Sequence, residues 1–272
     1  MKQIHTTELF PVLDAKLFEL LKSLTSEQWT RLATPRWTVK EVASHLLDSN
    51  LRRLSIARDG YWGEPFHGSS YQDLVDFLNG LNADWVKAMR RISPRILIEF
   101  LAVSNREVSD HFRSLEPKGP ATFAVSWAGE EHSENWFDIA REYTEKWHHQ
   151  QQIRDAVKAP DILTRRLYFP VLDTFLRALP HKFKDVKADP GTAVAVHVVG
   201  EAGGTWYVIR DAGSWSLSDE AAKSIRAEVK IPQDLAWKLF TKALPKDARS
   251  YFHITGDARL VEPVLATTAI MG

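Results

Sequence analysis

Residues 141–155 read Arg141-Glu-Tyr-Thr-Glu145-Lys-Trp-His-His149-Gln-Gln-Gln-Ile-Arg-Asp155. Good helix formers fill this stretch and neither Gly nor Pro interrupts it, so it reads as helix. Glu145 and His149 are four residues apart and project from one face, a turn from each other. A carboxylate oxygen and an imidazole nitrogen so placed make half of a divalent-metal site. Alone, such a pair is more often a surface ion pair, and the rest of the chain has to supply a third ligand.

The third candidate lies upstream. Thr38-Val-Lys-Glu41 is a capping box. The helix it opens should run to about Asp59-Gly60, with Val39, Val42, Ala43, Leu46, Leu47 and Leu54 along its buried stripe. His45 sits within that stripe, and Asp48 follows one turn later. A His on an apolar face is usually a core residue bonded to a neighbour. Here the inward faces of antiparallel helices can bring it to Glu145 and His149.

The composition narrows the functions. The 272 residues suffice for one large or two ordinary domains, with 44% apolar and 26% charged residues. Lys+Arg and Asp+Glu cancel at 35 each, so nothing suggests a nucleic-acid or anionic-membrane partner. Cys is absent, which excludes disulfides, iron–sulfur clusters, Cys-ligated zinc and a Cys nucleophile. Thiol chemistry would need a thiol from outside. No apolar signal core opens the chain and no run approaches the roughly 20 apolar residues of a membrane span, so a cytoplasmic protein is expected.

Further helices are expected over residues 8–24, 71–92 (Leu74, Phe77, Leu78, Leu81, Trp85 and Met89 buried) and 95–115, with a short turn around Trp29. Glu116–Pro120 is a linker and 121–131 a crossover loop; the helix of the opening stretch spans about 134–157. Another helix covers roughly 161–184, bent at Pro170. Beyond Lys187–Gly191 the period changes from helical to two: Val194, Val196 and Val198 alternate with Ala193, Ala195 and His197. Strands follow at Trp206–Ile209, Trp215–Leu217, 225–231 and Tyr251–Thr255, with helices at about 233–244 and after Gly256-Asp257. The fold class is α plus α+β: residues 1–160 a four-helix bundle, 161–186 a connecting helix, and 187–272 a small α+β domain with antiparallel sheet.

Three features together carry a resemblance. They are Trp37-Thr-Val-Lys-Glu-Val-Ala-Ser-His45-Leu-Leu-Asp48, the Glu145-x-x-x-His149 helix, and a β-rich C-terminal part containing Gly-Gly-Thr-Trp206 and Ile-Thr-Gly-Asp257. The chain resembles the DinB-like superfamily of helical metalloproteins. Within it, it is similar to the mycothiol-dependent maleylpyruvate isomerase type, whose bundle precedes a domain like sterol carrier protein 2. The resemblance implies His45, Glu145 and His149 as metal ligands. The family motif usually continues H-x-x-D, and Gln152 stands here where that Asp is common. It also implies an Arg from the C-terminal domain near the active site, with Arg210, Arg226, Arg249 and Arg259 as candidates.

Two imidazoles and a carboxylate leave coordination positions open, as in catalytic sites; Zn²⁺ is the first expectation, with Ni²⁺, Fe²⁺ or Mn²⁺ as alternatives. The resemblance implies that the metal activates a low-molecular-weight thiol for isomerisation or thiol transfer to a small-molecule substrate. Two other readings stay open: a metal-dependent hydrolase, and a non-catalytic protein that binds metal or an apolar ligand. Asp48, Tyr143 and Gln152 are candidate substrate-binding residues. Asp48 could instead orient His45 or pair with Arg52, and His148 is a neighbour of the site or a surface group. The chain would act as a monomer or a homodimer.

Overall fold

A computed structural model describes residues 2–270; residue 1 and residues 271–272, the ends of the two expected domains, lie outside the described part. By its contacts the chain divides into two compact units. One is built from Thr6–Thr122 and Glu145–Asp161; the other from the residues before Thr6, Phe123–Thr144 and Ile162–Ile270.

The first unit is helical. Its elements are α1 (Phe10–Ser23), α2 (Ser26–Thr30), α3 (Val39–Arg53), α4 (Tyr71–Met89), α5 (Pro94–Ser114) and the second half of α6 (Asn135–Val157), which crosses the unit boundary. Local chemistry sets the helix starts. Thr38 Oγ1 accepts from the Glu41 N–H at 3.3 Å, and the Glu41 carboxylate accepts from the Thr38 N–H at 2.9 Å. Two of the orphan donors at the start of α3 are thereby satisfied. At its other end α3 loosens into a π turn at Leu54–Arg58. The core joins Leu17 and Leu21 of α1, Val42, Leu46 and Leu47 of α3, Leu97 and Leu101 of α5, and Ile153 and Val157 of α6.

Helix α4 departs from expectation. Only Val86 and Met89 are buried; Leu74, Phe77, Leu78, Leu81 and Trp85 are half-buried. Among the described residues its substantial helical neighbour is α3, so the apolar stripe is covered on one side. Trp85 Nε1 donates to the Ser44 carbonyl at 2.9 Å, and Asn82 accepts from Arg52 at 2.7 Å.

The second unit holds α7 (Arg165–Leu176), α8 (Leu179–Lys182), β1 (Ala193–Val199), β2 (Gly204–Arg210), β3 (Trp215–Ser218), β4 (Ile225–Pro232), α9 (Gln233–Phe240), β5 (His253–Gly256) and α10 (Ala258–Leu265). The strand order is β3-β2-β1-β4-β5. The expected antiparallel sheet is in fact mixed: β1 and β4 run parallel, with Val196 opposite Val229, while the other neighbours are antiparallel. The meander β1-β2-β3 grows to one side, and residues 219–224 then carry the chain back to start β4 beside β1 in the same direction. Gly256 makes the tight β4–β5 approach possible: its φ is +77°, and a Cβ there would meet the Arg226 carbonyl oxygen at 2.2 Å.

The expected single helix over 161–184 is two helices, and the break falls before Pro180, while Pro170 lies inside α7. Pro180 has no N–H to return to the Leu176 carbonyl and its ring crowds that turn. Tyr168 fastens α7 to α9: its buried hydroxyl donates to the Gln233 carbonyl at 2.7 Å and accepts the Trp237 N–H at 3.0 Å. Trp206 stacks on Phe169 and donates Nε1–H to Asp173 at 2.8 Å. Among the described residues no helix is long and apolar enough to cross a membrane.

Candidate metal centre

His45 leaves α3 from the same buried face as Leu46 and Val42, in a helix whose start the capping box fixes. Glu145 and His149 leave α6 one turn apart. One ligand atom from each of the three residues lies within 4.8 Å of the others. The His149 Nε2 is 3.6 Å from Glu145 Oε2, and the His45 and His149 rings meet edge to face with centroids 4.9 Å apart. The His149 Nδ1 is 2.8 Å from Gln152 Oε1. Trp37 closes the site beside His45, ring centroids 5.0 Å apart.

The electrostatics leave His45 and Glu145 in the protonation states a cation requires. Burial drives the His45 pKa well below the usual imidazole value, and the neighbouring His149 adds to the shift, so the ring is neutral. Burial alone would raise the Glu145 pKa; the imidazoles of His148, His149 and His45 outweigh it and hold the carboxyl at about 2. Metal ligands must be neutral imidazole and ionised carboxylate, so little proton release opposes binding at these two residues. His45 Nδ1 is buried with no hydrogen-bond partner. Two nitrogens and one oxygen within 4.8 Å of one another, with a His45 ring nitrogen left without a partner, fit a divalent cation of borderline softness.

The other candidates are placed as follows. Asp48 pairs with Arg52 at 2.9 Å, the second of the two roles expected for it. The Tyr143 hydroxyl donates to the Leu167 carbonyl at 3.0 Å within the second unit. Gln152 bonds His149. Arg259 is held by Asp257 at 2.8 Å, and Arg249 donates to the Leu265 carbonyl at 3.2 Å.

Sequence reasoning left one feature open and missed another. His148 is 2% exposed, buried beside the site with its ring 4.0 Å from that of His149. The helical wheel alone left it open to either side. A buried polar network also involves Lys146, which follows Glu145: Asn105 Oδ1 accepts from Asn50 at 2.6 Å and from Lys146 at 2.7 Å, and Lys146 is 3.5 Å from Asp14. Lys146 and Asp14 are far apart in sequence and carry no motif that would join them.

An inward-facing His/Glu/His set in a helical unit, with an α+β unit after it, defines a two-part protein of α plus α+β class with a potential metal centre. Residues 10–154 match the family described as "Mycothiol maleylpyruvate isomerase N-terminal domain", more than half of the chain, and the chain belongs to that family. A crystal structure of the mycothiol-dependent maleylpyruvate isomerase is similar over 88% of this chain and 91% of its own, with a TM-score of 0.52 and 12% identity. A crystal structure of a point variant of that isomerase gives a TM-score of 0.49 at 11% identity, over 88% of this chain and 91% of its own. At such identity the likeness shows the fold: a helical N-terminal part followed by a small mixed sheet. No curated protein matches the sequence.

Proposed function

We propose that this chain is a divalent-metal-dependent enzyme of the maleylpyruvate isomerase type, using a low-molecular-weight thiol for isomerisation of, or transfer to, a small electrophilic substrate. The observation that carries the reading is the convergence of His45, Glu145 and His149 within 4.8 Å, with His45 neutral and Glu145 ionised. A divalent cation held there, zinc first, would supply a positive centre that stabilises an incoming thiol as its thiolate. The protein has no Cys, so the nucleophilic sulfur must come from outside. Mycothiol, named for the family and for the similar structure, is the first thiol to test. His45 and His149 would contribute nitrogens and Glu145 the single formal charge, with the Trp37 ring 5.0 Å from that of His45.

The test is elemental analysis of the purified protein beside His45→Ala and Glu145→Ala, followed by a thiol titration of the cobalt-substituted protein. The expected result is about one divalent ion per chain, lost in both variants, with a cobalt spectrum that shifts on adding mycothiol. No bound ion even after reconstitution would overturn the metal site. A cobalt spectrum blind to thiols, together with ester or amide turnover that needs none, would favour bound hydroxide and hydrolysis.

A further inference from the structure

The half-buried Gln152 side chain contacts His149. The two residues lie three apart on α6, so both occupy one face. The 2.8 Å contact joins His149 Nδ1 to Gln152 Oε1, and an amide oxygen can only accept. With the amide oxygen turned to the ring, the contact selects the tautomer that carries its proton on Nδ1. The ring's Nε2 is the atom 3.6 Å from Glu145 Oε2.

The contact has a consequence in charge. Gln152 orients His149 without adding a carboxylate, so Glu145 is the one anion among the three ligands and the residue bonded to His149. Two nearby carboxylates are paired with cations: Asp48 with Arg52 at 2.9 Å, and Asp14 with Lys146 at 3.5 Å. A divalent cation on this set would leave one net positive charge, which favours an anionic sulfur ligand over a neutral one. A carboxylate in the place of the amide would remove that surplus.

We propose that Gln152 is a positioning residue that fixes His149 in its Nδ1–H tautomer and keeps the centre one charge positive, so that it captures a singly charged thiolate. The proposal rests on the metal-and-thiol reading above. Three measurements on the full chain separate the two. First, nitrogen-15 NMR of the His149 ring in metal-free protein should show the proton on Nδ1; a proton on Nε2 would overturn the proposal whether or not any metal binds. Second, zinc-competition titrations should show Gln152→Ala weakened by about 10–100-fold, and unchanged affinity in a variant with wild-type circular dichroism would overturn it. Third, Gln152→Glu should bind zinc at least as tightly as wild type, while the cobalt-substituted variant binds N-acetylcysteine about tenfold more weakly; equal thiol affinity would sink the charge argument. Zinc binding lost in His45→Ala but equal in wild type and Gln152→Ala refutes only the role of Gln152. Failure of the wild type to bind zinc refutes the metal reading itself.

Discussion

His45 gives the metal-free protein a pH sensitivity whose sign follows from its burial. The ring is 8% exposed, and burial together with His149 sets its folded pKa well below the 6.5 of an unperturbed imidazole. A group with a depressed pKa on folding binds its proton more readily in the unfolded chain. Below about pH 6.5 the unfolded state therefore gains protons that the folded state refuses, and stability falls as the pH falls. One such group costs about 1.4 kcal/mol by pH 5.5, relative to the plateau above pH 7.5. The perturbation is His45→Gln, which keeps a polar side chain and removes the titration. The assay is urea unfolding with chelator present, at pH 7.5, 6.5 and 5.5, in both proteins. Groups common to the two, Asp14 and Asp48 among them, cancel in the difference. The wild type should lose about 1.4 kcal/mol more than the variant between the highest and lowest pH. Parallel pH profiles would refute the reasoning, because His45 would then titrate alike in the folded and unfolded chain. Saturating zinc should raise the stability of the wild type and leave His45→Gln unmoved.

Three further outcomes are expected. Lys146→Met leaves the Asp14 carboxylate buried without its cation and should cost about 3–5 kcal/mol in urea unfolding, whereas the double change Asp14→Leu with Lys146→Met should recover most of the loss. Thr38→Ala removes the cap of α3 and should cost about 1 kcal/mol, with a measurable drop in zinc affinity because His45 rides on that helix; an unchanged melting temperature would count against the cap. Tyr168→Phe strands the Gln233 carbonyl and the Trp237 N–H, and should destabilise the sheet-containing unit by about 1–3 kcal/mol, read as earlier loss of near-ultraviolet tryptophan signal.

What the sequence discloses of this protein is mostly local. The Thr38–Glu41 box names the start of α3 because four consecutive residues contain the whole interaction. The alternation of Ala227, Val229 and Ile231 with Glu228 and Lys230 names β4 for the same reason. The direction of β4 was not legible, since alternation is identical in parallel and antiparallel pairing and only the return path of residues 219–224 decides it. The break before Pro180 was hidden by Pro170, an equally strong signal that the structure absorbs inside α7. In the centre, the spacing of Glu145 and His149 was legible within one helix, and His45 only as a polar residue on an apolar stripe. His148 and Lys146 were not legible as buried groups, because a sequence pattern assigns polar side chains to water by default.

That default fails along α6 for a reason connected with the site. Lys146, His148, His149, Gln150, Gln151 and Arg154 are all buried, a load of polar groups that a helix chosen for stability alone would replace with apolar ones. Those around Lys146 are bonded in a way that fixes distances. The Asn105 oxygen on α5 accepts at once from Asn50 on α3 and Lys146 on α6, and Asn50 also donates to Ser104 at 2.9 Å. Asn50 lies five residues after His45, and Lys146 directly follows Glu145. The two helices that carry His45, Glu145 and His149 therefore share an acceptor on a third helix. Because every partner in that junction is desolvated, sliding α3 against α6 would expose unpaired buried polar groups, at about 1–3 kcal/mol each. The spacing of His45 from Glu145 and His149 is thus set by the packing of the three helices, and the polar groups buried in α6 are part of what holds it.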